Sequence, residues 1–541
     1  MKLRRCALVC LAPLLLAIAA SAQGGGQLRF CLRSDPKTFD PLRVEDDPSE
    51  RVRYITGGFL MRVNRLTQKL EPELATSWKV SKDGRTISFE LRAGVRFSDG
   101  TPFTADDVAY TLQRMMDPEL HSATGDAFRS GEGKLLTKLT APNKISVTFP
   151  APVASLDEKF DQVAMMSARS PKKEMAVLGP FYVADYKAGA YLLLNRNPNY
   201  WKHDEQGRPL PYLDSIRLDI QGNRDAEMLR FLRGDIDLVD TVDPEYFTRA
   251  QTEQAGSAHD AGVALDPEQL WFNQSASSPI PAFKRAWFRS TNFRVAIWEA
   301  LNRDDMARLV YKGKAQAAVG LLSPADKFWF NASLRTRPYD PQGALKLLQS
   351  DGFRLQNEQL YDGEGHAVEF SVVTGAGNKP RERMATMMQE DLGKIGIKLN
   401  VVPLDFGSLI ERITRTQDYE ACLLGLTNMA LGPDAQMNVW ISSGDNHQWN
   451  PREKQPETAW EAEIDRLMRT QASSLDPKKR KEAFDRVQQI AWEQAPFIYL
   501  VNRHALSAIS PRVRNAQPAV VQPYVYWNID RLAVNAEAAS K

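Results

Sequence analysis

Short segments with an apolar residue at every second position are spread along the whole chain, and stretches with a helical repeat lie between them. No other feature constrains the fold as strongly. Leu28-Phe30-Leu32, Ile87-Phe89-Leu91, Ile145-Val147-Phe149, Ile216-Leu218-Ile220, Val368-Phe370-Val372 and Ile397-Leu399-Val401 each have the period of a strand with one buried face. Met384, Met388, Leu392 and Ile395 instead follow the i, i+4, i+8, i+11 stripe of an amphipathic helix. The sets Ile464, Leu467, Met468 and Phe484, Val487, Ile490, Ala491 repeat that helical spacing. Strands interleaved with helices predict an α/β fold rather than a bundle or an all-β chain. The 541 residues provide material for several units of ~150 residues each.

The N-terminus reads as a secretory signal peptide over residues 1–22. "MKLRR" is its basic start, "CALVCLAPLLLAIAA" is an apolar run too short to span a bilayer, and Ala20-Ser21-Ala22 offers a small-residue cleavage site, so cleavage is expected after Ala22. Neither Cys6 nor Cys10 stands behind a small residue at the end of the apolar run, so there is no lipidation signal. No later apolar run approaches the roughly 18 residues of a membrane span, and the mature chain is expected in the periplasm without membrane insertion. Removing Lys2, Arg4 and Arg5 takes the net charge from +2 to near neutrality, and no basic block remains to attract nucleic acid. Cys31 and Cys422 survive processing. Both sit in apolar, strand-like contexts, "LRFCLRS" and "YEACLLGL", and are expected to be buried free thiols rather than a bridge.

"SDGTPFTADDVAYTLQRMMDP" gathers Asp99, Asp106 and Asp107 near a Gly and a Pro. Asp99-Gly100 is turn chemistry, and Thr104 stands where a helix N-cap belongs. Asp107 occupies the capping-box position three residues on, and Asp106 joins it at the positive end of the helix dipole. The Val108, Leu112, Met115 stripe that follows confirms the helix. These aspartates are caps rather than catalytic groups.

The run "LEPELATSWKVSKDGRTISFELRAGVRFSDGTPFTADDVAYTL" (70–112) resembles the signature region of the family 5 extracellular solute-binding proteins, the peptide-, dipeptide- and nickel-type receptors of ABC importers. Further blocks agree in order, among them "NRNPNYW", "LRGDIDLVD", "LWFN", "YDPQGALKLLQSDGF", "MMQEDLGKIGIKLNVV" and "APFIYLV". The resemblance implies a two-lobed clamshell of the type II-like periplasmic-binding fold. Lobe I would span 23–269 with an inserted α/β subdomain at about 61–170, lobe II 270–495, and residues 496–541 would return to lobe I. Crossings near Leu270–Asn273 and Ala495–Val501 would form the hinge. It also implies a monomer that captures a solute, an oligopeptide or peptide-like molecule, and delivers it to the permease of an ABC importer. A sugar, an opine or a chelated metal is the alternative cargo.

On the same resemblance, the amine-binding segment is "LLGLTNMALGPDAQ". Aligned on Pro433-Asp434, the acidic position of dipeptide receptors falls on or near Met429, and the usual aromatic is Leu426. This departure weighs against recognition of a free peptide N-terminus, for which Asn428 or Asp434 would substitute only in part. Thr427 and Asn428 are retained as candidate ligand contacts. Arg381 and Arg383, before the "MATMMQEDL" helix, stand where the family binds a ligand carboxylate; solvated charge at a helix start is the other reading. Trp271 and Trp440 are polar-flanked and could line a cleft, whereas Trp298 and Trp492 lie on helical apolar faces and read as core. Asn273 is a ligand contact or, more simply, hinge scaffolding. No cofactor or metal site is expected. A secreted hydrolase is the rival from another class, but no G-x-S-x-G, H-E-x-x-H, G-x-x-x-x-G-K-[ST] or G-x-G-x-x-G motif occurs, so no enzymatic role is expected. Histidines 121, 203, 259, 366, 447 and 504 show no triad or metal spacing, and His447, in "SSGDNHQWN", reads as a surface-loop residue.

Overall fold

The computed structural model describes residues 25–535 except 121, 127, 129–132, 171–175 and 426–430. The leader, and with it the cleavage after Ala22, lies outside the described residues, as do Thr427, Asn428, Leu426 and Met429. Every segment with period-two alternation is a strand or the greater part of one, from Gln27–Leu32 to Lys398–Leu404. The three helical stripes are helices Lys379–Gly393, Ala459–Ser473 and Pro477–Gln494. Among the described residues no helix is long and apolar enough to cross a membrane.

Apolar packing divides the molecule. One core joins Leu28, Phe30, Leu192, Ile216 and Leu218 to Tyr526 and Leu532, so the C-terminal segment packs back on the first lobe. A second core, from Leu42 to Leu178, belongs to the inserted subdomain. There, strands Ala75–Val80, Thr86–Leu91, Lys144–Thr148 and Leu136–Ala141 form an antiparallel sheet, and helix Ala105–Met115 packs on it. A third and larger core runs from Leu270 to Val501 and forms the other lobe.

One mixed sheet of eleven strands passes through both lobes. Its middle is an antiparallel pair, Ala258–Phe272 and Phe497–Ile509. At one end Ala258 faces Ala508, beside the first-lobe strand Leu238–Val239; at the other, Trp271 faces Phe497, beside the second-lobe strand Ala421–Gly425. Their register shifts between Asp260 and Val263, between Val263 and Pro267, and between Glu268 and Gln269. An extra residue on one strand bends it and sharpens its twist. The bulges therefore mark where the sheet turns from one lobe into the other.

The aspartates of 98–118 are local scaffolding. Asp99 Oδ1 accepts the Thr101 amide at 2.9 Å, and Gly100 takes φ +85°, as the turn requires. Asp107 Oδ2 accepts the Thr104 amide at 2.8 Å, and its Oδ1 accepts that of Ala168 at 2.9 Å. Cys31 and Cys422 are free and buried. Burial, aided by Glu227, pushes the Cys31 thiol up to about 12, and burial raises Cys422 as well. Neither forms a thiolate at neutral pH, so alkylating reagents are expected to spare both in the native protein and to modify both after unfolding. Rapid labelling of either thiol under native conditions would show that its surroundings open.

Candidate functional site

Between the subdomain and the second lobe lies a cleft of about 590 Å³. On the first side its wall includes Arg53, Arg65, Leu70, Phe128 and Lys159; on the other it includes Asp326, Phe328, Trp329, Leu431 and Asp434. Its size suits a small solute or part of a longer one, and its lining mixes apolar faces with both signs of charge.

The second-lobe wall is fixed by Asp326. Oδ1 accepts the amide of Trp329 at 3.1 Å, and Oδ2 accepts that of Gly432 at 3.2 Å. Burial raises the Asp326 carboxyl above its usual range, against the opposing pull of these amides. Trp329 packs edge-on against Phe484, with the Arg480 guanidinium 5.1 Å from its ring centre, while Phe328 stands 57% exposed. Gly432 adopts φ 80°, ψ −177°, a conformation essentially confined to glycine, and a Cβ there would lie 2.5 Å from Trp329 Nε1. Gly432→Ala is expected to cost about 2 kcal/mol in backbone strain and to displace the indole from the cleft wall. Calorimetric titration with cargo should then show affinity reduced about tenfold or more; unchanged affinity would take Trp329 out of the site.

The first-lobe wall carries charges already paired. Arg65 meets Asp161 at 3.7 Å, and Asp161 accepts the Val63 amide at 2.6 Å. Arg53 is held by Glu50 at 2.7 Å. Burial lowers the Lys159 ammonium, with Asp434 opposing the shift.

The lobes touch beside the cleft. Gln68 Nε2 donates to the Ala325 carbonyl at 2.7 Å, and the Ala154 amide donates to Ala472 O at 3.0 Å. Arg480 donates to Ser155 Oγ across the same boundary and to Gln471 O at 3.0 Å within its own lobe. Arg383, half exposed, reaches Glu245 of the first lobe at 3.6 Å.

Several residues expected at the cleft stand elsewhere. Trp271 is fully buried; its Nε1 donates to Tyr419 Oη at 3.2 Å and its ring meets Phe497 edge-on. Trp440, 1% exposed, packs against Trp449 and Phe497. Asn273 donates to the Gln417 and Tyr419 carbonyls at 2.8 and 3.0 Å, the scaffolding its sequence position allowed. All three expose no face to a ligand: Trp271 on its strand, Asn273 just past that strand's end and Trp440 at the end of helix Met437–Trp440 are each covered by the second lobe's packing. His447, read as a surface residue, is also buried. Trp298 is core, its indole donating to Tyr499 O.

Arg381 is spent on an ion pair. Its Nε lies 2.7 Å from Oε2 of fully buried Glu268, whose Oε1 meets Arg503 at 3.4 Å. Burial would raise the Glu268 carboxyl, but these two guanidinium groups outweigh it and hold the pKa below the usual carboxylate value. Gly425 leaves room for the pair: a Cβ there would lie 2.8 Å from Arg381 Nη2. The sequence reading missed Trp329, Phe328 and Asp326. The signal was "DKFWF", adjacent aromatics without helical or strand period behind Ser323-Pro324.

The model of the bacterial extracellular solute-binding proteins, family 5 (middle part) matches residues 69–448. A probable ABC transporter-binding protein of Deinococcus radiodurans is 27% identical over 91% of this chain and 89% of its own. The oligopeptide-binding protein AppA of Bacillus subtilis is 26% identical over 90% of this chain and 88% of its own. Its solved structure in complex with a nonapeptide superposes with a TM-score of 0.75, at 22% identity over 95% of this chain and 100% of that one. The periplasmic binding protein MelB of Agrobacterium fabrum, solved with stachyose, gives a TM-score of 0.74 at 22% identity, over 96% of this chain and 86% of that one.

Proposed function

The chain belongs to the family 5 bacterial extracellular solute-binding proteins, and on that premise we propose that it captures an oligopeptide between its lobes and delivers it to the membrane permease of an ABC importer. The leader would be cleaved after Ala22 and the mature chain would work in the periplasm. The observation that carries the reading is the cleft itself, walled by both lobes and bordered by hydrogen bonds that join them. A solute held there touches both lobes, and that differential contact favours the closed state. Phe328, Trp329, Leu70 and Phe128 supply faces for apolar side chains, and the surrounding charges suit a zwitterionic, polar backbone. The peptide named with AppA supports this cargo.

The test is a thermal-shift panel of mixed oligopeptides, oligosaccharides and metal chelates on the mature protein, followed by small-angle scattering. Peptides are expected to raise the melting temperature, with about 2.7 kcal/mol of stabilisation at a hundredfold excess over Kd, and to reduce the radius of gyration. A shift given by sugars or chelates alone would overturn the peptide reading. No shift and no compaction with any class would overturn capture altogether.

A further inference from the structure

Away from the cleft, in the second lobe, His447, Glu453 and Glu461 converge under the aromatic cluster of Trp440, Trp449 and Phe497. All three are buried, 1%, 7% and 3% exposed, and none lines the cleft. His447 Nδ1 lies 2.9 Å from the Val439 carbonyl, which can only accept, so Nδ1 carries the hydrogen and Nε2 points the other way. Nε2 faces Glu453 Oε1 at 3.6 Å and Glu461 Oε1 at 3.7 Å. Nε2 and Glu453 Oε1 are buried without a hydrogen-bond partner. The remaining carboxylate valences are engaged: Glu453 Oε2 accepts the Glu457 amide at 3.1 Å, Glu461 Oε2 the Thr458 hydroxyl at 2.6 Å, and Glu461 Oε1 the Trp449 indole at 2.9 Å.

These separations are too long for hydrogen bonds. They suit two ligand atoms held about 2.1 Å from one cation, and all three candidate ligand atoms lie within 4.8 Å of one another. The carbonyl that fixes the imidazole tautomer is the outer-shell partner that metal-bound histidines use. Two carboxylates at this depth call for a positive charge: Arg294 is occupied by the Phe288, Gln494 and Ala495 carbonyls, and His447 could supply one only by protonating Nε2, which stands beyond hydrogen-bond distance of either carboxylate.

We propose that His447 Nε2, Glu453 Oε1 and Glu461 Oε1 bind one divalent transition-metal ion, zinc by the nitrogen and oxygen ligand set, as a structural tie distinct from the cargo site. The ion joins the loop carrying His447 and Glu453 to helix Ala459–Ser473. That loop also abuts the chain just past the crossing strand Ala258–Phe272, where the Gln274 amide donates to Trp449 O at 2.8 Å. The tie braces the lobe on its hinge side.

Metal analysis of the mature protein, purified without chelator, is expected to find one equivalent of zinc. Dipicolinate should lower the melting temperature, and zinc chloride should restore it. Cobalt added to the stripped protein should give a visible d–d absorption band. Glu453→Gln, which keeps the acceptor for the Glu457 amide, should lose at least about tenfold in metal affinity and with it the chelator response, while Glu205→Gln on the surface should change neither. The proposal is overturned if zinc, cobalt, manganese and nickel all fail to bind or to shift the melting temperature. It is equally overturned if Glu453→Gln holds metal as tightly as the parent; the cobalt titration of the unmutated chain keeps the test decisive should the variant fold poorly.

Discussion

Trp271→Ala is expected to lower stability by about 4 kcal/mol and to leave cargo affinity unchanged in the folded fraction. The indole is fully enclosed where strand Ala258–Phe272 passes between Ala421–Gly425 and Phe497–Ile509. Removing it opens a cavity against Phe497 and strips Tyr419 Oη of a donor, although that hydroxyl keeps its own bond to Gln448 O at 2.8 Å. The surrounding sheet cannot collapse into the space, so the upper part of the range for large-to-small core changes applies. Denaturant unfolding and calorimetric titration on one sample separate the two effects. A variant as stable as the parent that no longer bound cargo would return Trp271 to the ligand site.

Arg381→Met should cost about 3 kcal/mol, because it leaves Glu268 charged and buried with Arg503, at 3.4 Å, as its remaining ion-pair partner among the described residues. The pH dependence identifies the cause. In the parent, the Glu268 pKa is depressed on folding, so its contribution is present above the unfolded value near 4.5 and fades as pH falls through the folded one. In the variant the balance shifts towards burial, which raises the carboxyl. The difference between the two proteins should therefore be largest at neutral pH and shrink as Glu268 protonates in acid. A pH-independent difference would remove the Glu268 pair as the cause, and a difference that widens once cargo is bound would make Arg381 a ligand contact.

What the sequence disclosed follows from the range of the forces involved. Leu28-Phe30-Leu32 and Met384, Met388, Leu392 declare their elements because burial of one face is a local pattern that tertiary packing preserves. Thr104 and Asp107 declare a helix start because capping closes within one turn. The partner of Arg381 was invisible, since Glu268 lies over a hundred residues away and the two meet only when helix Lys379–Gly393 is set beside the strand that carries Glu268. Polar neighbours around Trp271 and Trp440 suggested exposure. Several of those neighbours, Gln269, Asn273 and Ser442 among them, are buried too, and the cover comes from distant parts of the chain: paired strands around Trp271, and Trp449 and Phe497 around Trp440. His447 misled in the same way: its flanking Asp and Asn are loop residues, yet the loop folds inward and the Trp449 ring covers the imidazole at 3.9 Å. Phe328 and Trp329 carried a readable signal, but only chain closure shows that they face the subdomain.

The eleven-stranded sheet that runs unbroken through both halves also governs how the molecule comes apart. Strands Ala258–Phe272 and Phe497–Ile509 contribute side chains to more than one core, so neither half can lose its order and leave the other's ladder intact. A calorimetric scan should accordingly record one endotherm for the pair rather than two, with calorimetric and van't Hoff enthalpies in agreement.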